Sequence, residues 1–212
     1  MSRLYEFDRG LSTETRYREM IRLINEYCDP RGKRLVDLGA GPNPISRHVA
    51  SRSTTTIDFD PKRHPDIVCN INEESVPLPD DSCDILIAGE VLEHVYFSVR
   101  FLNEIKRLLV SGGYLILSVP NVSYLPYRVL WLWGRVPPFA AKADCTYHPY
   151  GRPGGHVRDY NFRELETLLR RLDFEVVKST TNGIVYGKFR LPRMLIPKTW
   201  GQKAIVLARN RK

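Results

Sequence analysis

Short apolar runs alternate with amphipathic segments along most of this chain. Apolar side chains at helical spacing predict helices over residues 13–28, 43–52, 95–110 and 161–172. We expect the third of these helices to end at the serine–glycine–glycine stop at 111–113. Short apolar or β-branched runs predict strands at 33–39, 54–60, 66–71, 83–92, 113–120, 174–180 and 203–209.

Strands that alternate with helices are typical of an α/β fold with a mostly parallel sheet. The run at 83–92 is apolar on both faces, as expected for a parallel strand that helices cover on both sides. No helix is predicted between the last two strands, so they can pair antiparallel at the end of the sheet. We therefore predict a Rossmann-like, doubly wound, mostly parallel seven-stranded sheet with an antiparallel end strand. Residues 1–212 would form a single domain with a lid-like insertion at 121–158.

The segment VDLGAGPNP, residues 36–44, joins the first predicted strand to a glycine turn. Gly39 and Gly41 remove side chains where a ligand must approach the backbone, and ligands of open α/β sheets sit at the carboxyl ends of the strands. The third position of a dinucleotide fingerprint is occupied by Pro44, which disfavours a nicotinamide oxidoreductase. No Gly-Lys-Ser/Thr sequence follows, which disfavours a phosphate-binding P-loop.

Asp58 ends the second predicted strand, 21 residues after Asp37. A carboxylate at this place can accept hydrogen bonds from both hydroxyls of an unmodified ribose. Either aspartate could instead serve only the loop backbone, but both lie in register around the two glycines, which favours binding.

Three further segments follow in order: LPDDSCD, EVLEHV and FLNEIKRLLVSGGYLILSVPN. Together with VDLGAGPN they resemble the class I S-adenosylmethionine-dependent methyltransferases, especially the small-molecule branch related to the ubiquinone-biosynthesis enzymes. The resemblance covers residues from about 33 to 120 well and continues weakly towards the end of the chain.

This resemblance implies S-adenosylmethionine as the cofactor. It also implies that Ile71, Ala88 and Gly89 contribute through their backbone. The residues implied for the methionine part are Asp37, Gly39, Ala40, Gly41, Ala88, Gly89 and Glu90. Those implied for the adenosine part are Asp58 at the ribose, and Phe59, Asn70 and Ile71 at the adenine.

Two histidines are candidates for the catalytic base that an oxygen acceptor usually needs near neutral pH. His94 follows the fourth predicted strand at the ligand end of the sheet. His156 ends the insertion and can fold over the same cleft. Each could equally be a structural residue that hydrogen-bonds a neighbouring loop.

The insertion carries an aromatic stretch with interspersed arginines at 123–139. Loops of this length in a compact domain are often lids or binding segments. The stretch could line an apolar acceptor site, rest at a membrane interface, stack on nucleic-acid bases or pack on the domain's own core.

Charge is distributed unevenly along the chain. Residues 1–175 contain 23 Lys/Arg and 24 Asp/Glu, whereas residues 176–212 contain nine Lys/Arg and no acidic residue. A basic end of this kind suits anionic lipid, nucleic acid or a phosphorylated substrate, or is simply a solvated surface.

The four cysteines, Cys28, Cys69, Cys83 and Cys145, have no C-x-x-C spacing. This argues against a zinc site, so we expect no metal, and it favours reduced thiols in a cytoplasmic protein. The N-terminal residues lack the apolar core of a secretory signal.

We therefore expect an S-adenosylmethionine-dependent methyltransferase that acts on a small or amphipathic acceptor of glycan, lipid or quinone-precursor type. It would be cytoplasmic, with peripheral membrane contact as a side hypothesis. An RNA methyltransferase and a non-catalytic cofactor-binding scaffold or sensor are the alternatives, and nucleic acid ranks lower because no RNA-binding module is recognisable.

Overall fold

The computed structural model describes residues 2–137, 156–186 and 189–212, with side chains from residue 14 onward. Nine strands lie within these ranges. They are β1 (Arg34–Leu38), β2 (Ser53–Asp58), β3 (Ile67–Val68), β4 (Cys83–Gly89), β5 (Leu109–Pro120), β6 (Phe174–Thr180), β7 (Ile184–Tyr186), β8 (Phe189–Leu191) and β9 (Lys203–Asn210). The helices are α1 (Ser2–Tyr27), α2 (Ser98–Leu108), α3 (Leu125–Leu132) and α4 (Phe162–Arg171).

Seven strands form one sheet in the order β3-β2-β1-β4-β5-β9-β6, and β7 pairs with β8 in a separate small sheet. Strands β3, β2, β1, β4 and β5 are mutually parallel. Strand β9 is antiparallel to both β5 and β6. The predicted fold class is confirmed, and the antiparallel strand lies second from the edge.

Alternate side chains of the central strands enter two different cores, as the period of a strand requires. Val36 and Leu86 pack on one face of the sheet with α2 and α4. Leu35 and Ile85 pack on the other face with the buried side of α1. The sheet is therefore covered by helices on both faces, and its apolar strands need this double cover.

The helix predicted over 43–52 is wrong, because this segment forms only a short 3₁₀ turn at Ile45–His48. Its two buried apolar residues, Ile45 and Val49, pack into the core that α1 covers. The backbone N–H of Ser46 donates to Asp37 Oδ2 at 2.9 Å, which holds the segment against the end of β1. Since α1 covers this face, no second helix is needed there.

Several predicted boundaries also differ from the structure. Helix α2 ends at Leu108, and the serine–glycine–glycine sequence lies inside β5 instead of stopping the helix. Strand β4 ends at Gly89, because Glu90 has a positive φ of 61° and leaves the strand direction. The third strand was predicted over 66–71 but contains only Ile67 and Val68. The pair of strands β7 and β8 was not predicted.

Most of the described basic residues near the C-terminus are paired with carboxylates elsewhere in the fold. Such pairs reduce the positive potential that this end presents to a polyanion. The pairs are Arg193 with Glu19, Lys198 with Glu166, Lys203 with Glu90, Arg211 with Glu175 and Lys212 with Asp81.

Among the described residues, no helix combines the length and the apolarity that crossing a bilayer requires.

Candidate active site

A cavity of about 580 Å³ opens at the carboxyl ends of β1, β2 and β4. Its lining includes all but one of the residues that the sequence predicted for the cofactor. The exception is Ala88, which is completely buried inside β4, so its predicted backbone contact stays a prediction. The predicted residues that line the cavity are Asp37, Gly39, Ala40, Gly41, Asp58, Phe59, Asn70, Ile71, Gly89 and Glu90.

The glycine turn after β1 forms the floor of this cavity. Gly39 and Gly41 have φ angles of 71° and 65°, in the left-handed region that favours glycine. A Cβ at Gly39 would lie 2.3 Å from Val91 Cγ2, whereas a Cβ at Gly41 would meet nothing within 4 Å. Gly39 is thus required by packing against Val91, and Gly41 leaves space that a ligand can fill.

Asp58 joins this turn to the end of β2. Its Oδ2 accepts a hydrogen bond from Gly41 N at 2.8 Å, and its Oδ1 accepts one from Asp60 N at 3.0 Å. Arg63 Nη1 lies 3.0 and 3.2 Å from the two oxygens. The carboxylate therefore has the loop-bonding role considered from the sequence, and it also borders the cavity where a ribose would be held.

An exposed ring and a polar loop border the part of the cavity where the sequence predicted the adenine. Phe59 is 42 % exposed, and the Arg63 guanidinium carbon lies 5.2 Å from its ring centroid. The Asn70 side chain accepts a hydrogen bond from Asn72 N at 3.2 Å. An exposed aromatic face at a cavity wall is suited to stacking on a base.

Glu90 marks the opposite end of the cavity and is surrounded by cations. Its carboxylate pairs with Lys203 and lies 3.6 Å from Arg16 Nη1. Ser118 Oγ donates to it at 3.3 Å. Burial alone would raise the pKa of Glu90, but Lys203 and then Arg16 hold it below the usual value, so this end carries an ionised carboxylate.

Helix α1 contributes site residues that the sequence interpretation missed. Arg16 and Tyr17 line the cavity, and Tyr17 Oη donates a hydrogen bond to Asn43 O at 2.6 Å. Tyr17 was interpreted only as part of an apolar helix face. Arg63 was also missed, although its spacing of five residues from Asp58 is a local signal that could have found it.

The two candidate histidines lie together although 62 positions separate them in the sequence. Their ring centroids are 5.3 Å apart with an interplanar angle of 69°. The backbone N–H groups of Val157 and Arg158 donate to Glu93 O, at 2.7 and 3.4 Å, and fix the last residues of the insertion beside the turn that holds His94. His94 lines the cavity; the catalytic roles of both histidines stay predictions.

Glu93 lies under these histidines and is 1 % exposed. Neither of its carboxylate oxygens has a hydrogen-bond partner within the described part of the chain. Burial, and then the Glu90 carboxylate, raise the pKa of Glu93 well above its usual value. A buried acid in this state needs either a proton or a cation to be stable.

The insertion is described only at its two ends. Asn121 and Tyr160 form a parallel bridge, so the chain leaves and returns at adjacent points. Tyr124 is buried and donates to Val185 O at 2.6 Å, whereas Trp131 and Trp133 on and after α3 are 47 % and 77 % exposed. The predicted aromatic stretch also includes Phe139, which lies outside the described residues.

Comparisons with known proteins show the family of this chain. A family model described as a methyltransferase domain matches residues 12–179. A probable S-adenosylmethionine-dependent methyltransferase of Mycobacterium tuberculosis is 29 % identical over 180 residues, which cover 81 % of this chain and 58 % of that protein. A demethylmenaquinone methyltransferase of Tropheryma whipplei is 26 % identical, with 77 % and 74 % covered.

Solved structures agree on the fold. A 1,6-didemethyltoxoflavin-N1-methyltransferase of Burkholderia thailandensis, solved with bound 1,6-didemethyltoxoflavin and S-adenosylhomocysteine, superposes with a TM-score of 0.58. It is 18 % identical, and 92 % of this chain and 78 % of that chain are covered. A putative methyltransferase solved with the Trm112 activator of Haloferax volcanii has a TM-score of 0.63 at 16 % identity, with 97 % and 93 % covered.

The fold and the matched family model define a Rossmann-like methyltransferase domain. The chain belongs to the methyltransferase domain family. It is similar to mycobacterial proteins named as probable S-adenosylmethionine-dependent methyltransferases. It spans less than three fifths of the length of the mycobacterial relatives.

The cavity residues fit S-adenosylmethionine on their own chemistry. The cofactor carries a sulfonium cation, an amine and a ribose diol, which carboxylates and carbonyls can bind. The arginines that line the cavity are offset by acids, Arg16 by Glu90 and Arg63 by Asp58. The open space at Gly41 lets the ligand contact the backbone directly.

Proposed function

We propose that this protein transfers a methyl group from S-adenosylmethionine to a small or amphipathic acceptor. The observation that carries the proposal is the pairing of Asp58 with the Gly41 turn, which places a carboxylate beside open backbone at the carboxyl ends of two parallel strands. Ligand sites of open α/β sheets lie at this edge.

The cavity residues divide the work of binding. Asp58 would hold the ribose hydroxyls, Phe59 the adenine face, and Glu90 with the glycine turn the methionine part. Asn70 and Ile71 would border the adenine edge. The bound cofactor supplies an activated methyl group, and the contribution of the protein is positioning and exclusion of water.

The acceptor would be held on the side of His94 and His156. If the acceptor atom is oxygen, one imidazole at this place can accept its proton near neutral pH. Near the end of the insertion at 121–158, Val157 N donates to Glu93 O, next to His94, and Asn121 and Tyr160 pair where the chain enters and leaves the insertion. We therefore propose one methyltransferase domain in which the insertion covers the acceptor.

An amphipathic acceptor is favoured by the exposed apolar side chains on the described first part of the insertion. Trp131, Leu132 and Trp133 are exposed, and Arg128 lies on the same helix. Met194 and Leu195 are also exposed. Their segment is linked to α3, because Arg128 donates a hydrogen bond to Thr199 O. Aromatic and basic side chains of this kind suit a lipid–water interface. The relative from Tropheryma whipplei is named for a quinone-type substrate, demethylmenaquinone, which is an acceptor of this amphipathic class.

RNA as the acceptor is less well supported, because most described cations near the C-terminus are paired within the fold. RNA binding that weakens steeply with salt would reverse this ranking.

Calorimetric titration with S-adenosylmethionine, S-adenosylhomocysteine and NADH tests the proposal. We expect the two sulfur compounds to bind with one site per chain and NADH not to bind. Binding of NADH alone, or of none of the three, would reject a methyltransferase. Turnover is then measured with radiolabelled cofactor on quinone precursors, lipids and glycans, and binding without turnover on any of them favours the non-catalytic alternative.

Membrane contact is tested by the fluorescence of Trp131 and Trp133 with vesicles of anionic phospholipid. We expect a blue shift at low salt that neutral vesicles do not produce. Absence of wild-type sedimentation with anionic vesicles would remove the hypothesis, and equal sedimentation of a Trp131→Ser, Trp133→Ser double variant would show that these two side chains do not make the contact.

A further inference from the structure

Three side chains beside the cavity converge on one point. One ligand atom each from Glu93, His94 and His156 lies within 4.8 Å of the other two. The backbone holds this arrangement, since the N–H of Val157 donates to Glu93 O at 2.7 Å. The three residues therefore come from two fixed segments rather than from a mobile surface.

The burial of Glu93 is a second, independent observation. Its carboxylate is 1 % exposed, and neither oxygen has a hydrogen-bond partner within the described ranges. An acid buried in this way is costly unless a proton or a cation compensates it.

We infer that Glu93, His94 and His156 form a binding site for a divalent transition-metal ion. Two imidazoles and one carboxylate suit Zn²⁺ and its first-row neighbours, whereas Mg²⁺ and Ca²⁺ prefer ligand sets made of oxygen. The sequence analysis predicted no metal because it considered only the spacing of the cysteines. No short-range motif connects Glu93 and His94 with His156, so the sequence did not reveal this cluster.

The site adjoins the methionine end of the cavity, because His94 lines the same cavity as Gly89 and Glu90. Three protein ligands leave coordination positions open. An acceptor hydroxyl bound there would have a lowered pKa and a fixed orientation. This role for the ion rests on the proposed function, and under it His94 and His156 act as ligands rather than as bases.

The test uses the full chain without an affinity tag, stripped with a chelator and titrated with Zn²⁺ by calorimetry. The same protein is titrated with Co²⁺, whose visible absorption reports bound metal and its geometry. We expect one ion per chain. Glu93→Gln, His94→Ala and His156→Ala should each weaken binding by at least about 100-fold, whereas the exposed His48→Ala should not change it. Circular dichroism of each variant checks that it is folded.

Absence of stoichiometric binding by wild type, or equal binding by all three ligand variants, would overturn the inference. Titration of the same samples with S-adenosylhomocysteine separates the two proposals. If the protein binds S-adenosylhomocysteine but no metal ion, the metal site is rejected and the proposed function is left intact. If it binds a metal ion but no S-adenosylhomocysteine, the metal site is supported and the proposed function is rejected.

Discussion

The backbone N–H of Gly41 donates a hydrogen bond to Asp58 Oδ2 at 2.8 Å, across 17 residues of chain. This contact joins the loop after β1 to the end of β2. The loop that would hold the methionine part and the carboxylate that would hold the ribose are therefore mechanically coupled. A change at either residue is expected to affect both ends of the cofactor.

Replacing Asp58 by Asn should weaken binding of S-adenosylhomocysteine by about 10- to 100-fold, the equivalent of about 1.5–3 kcal/mol for hydrogen bonds to a charged group. The amide keeps the shape of the side chain but loses the charge that faces Arg63 and one acceptor oxygen. Calorimetric titration measures the change.

Asp84→Asn is the matched control for this substitution. Asp84 also pairs with an arginine, Arg34, at 3.2 Å, but at the other end of the sheet. We expect loss of the Asp84–Arg34 ion pair to change the free energy of unfolding and not the affinity for S-adenosylhomocysteine. Equal losses of affinity in the two variants would contradict a specific role for Asp58.

Gly41→Ala should abolish or strongly weaken cofactor binding while the protein stays folded. The added Cβ meets no protein atom within 4 Å, so it would enter the space proposed for the ligand. The positive φ adds about 1–2 kcal/mol of strain. Gly32→Ala has the same features, with φ +79° and open space, but lies outside the cavity. Both variants should lose similar thermal stability, and only Gly41→Ala should lose affinity.

Phe59→Ala should weaken S-adenosylhomocysteine binding by about 1–2 kcal/mol, because the variant loses the stacking of an aromatic ring on the adenine. Its unfolding free energy should change little, because the ring is 42 % exposed. Phe97, at 65 % exposed, provides the control substitution Phe97→Ala. Calorimetry and urea denaturation of both variants separate affinity from stability, and unchanged affinity in Phe59→Ala would remove Phe59 from the adenine site.

Glu104 gives a prediction about pH. Hydrogen bonds from Arg107, at 3.0 and 2.8 Å, hold the pKa of Glu104 below its usual value. A carboxylate with a lowered folded-state pKa stabilises the fold above its unfolded pKa, and this contribution is lost as the pH falls through the folded value. Glu104→Gln should therefore lose about 1.5 kcal/mol at neutral pH and progressively less in acid.

Urea denaturation over a range of pH measures this difference. The control is Glu14→Gln, which removes an exposed ion pair with Arg18 and should have little effect at any pH. A difference between wild type and Glu104→Gln that stays constant into acid would show that the lost contribution does not come from the ionised carboxylate.

Much of the site could be read from local sequence. The glycine turn, Asp58 and Phe59 lie at the ends of short apolar runs, and neighbouring parallel strands bring such ends to one edge. The seven strands were each predicted because their apolar patterns are local. The 43–52 helix was predicted by the same reasoning and is wrong, because α1 already covers that face and a 3₁₀ turn suffices.

The sequence by itself determined the class of fold and the edge of the sheet at which the cofactor is predicted to bind, since both follow from patterns within a few residues. Only the tertiary structure decided which distant groups meet. Lys203 pairs with Glu90, 113 positions away in the sequence. Tyr17 of α1 donates a hydrogen bond to Asn43 O, and His156 lies beside Glu93 and His94. These contacts depend on how the helices and the described ends of the insertion pack against the sheet, and no periodicity along the chain encodes that packing.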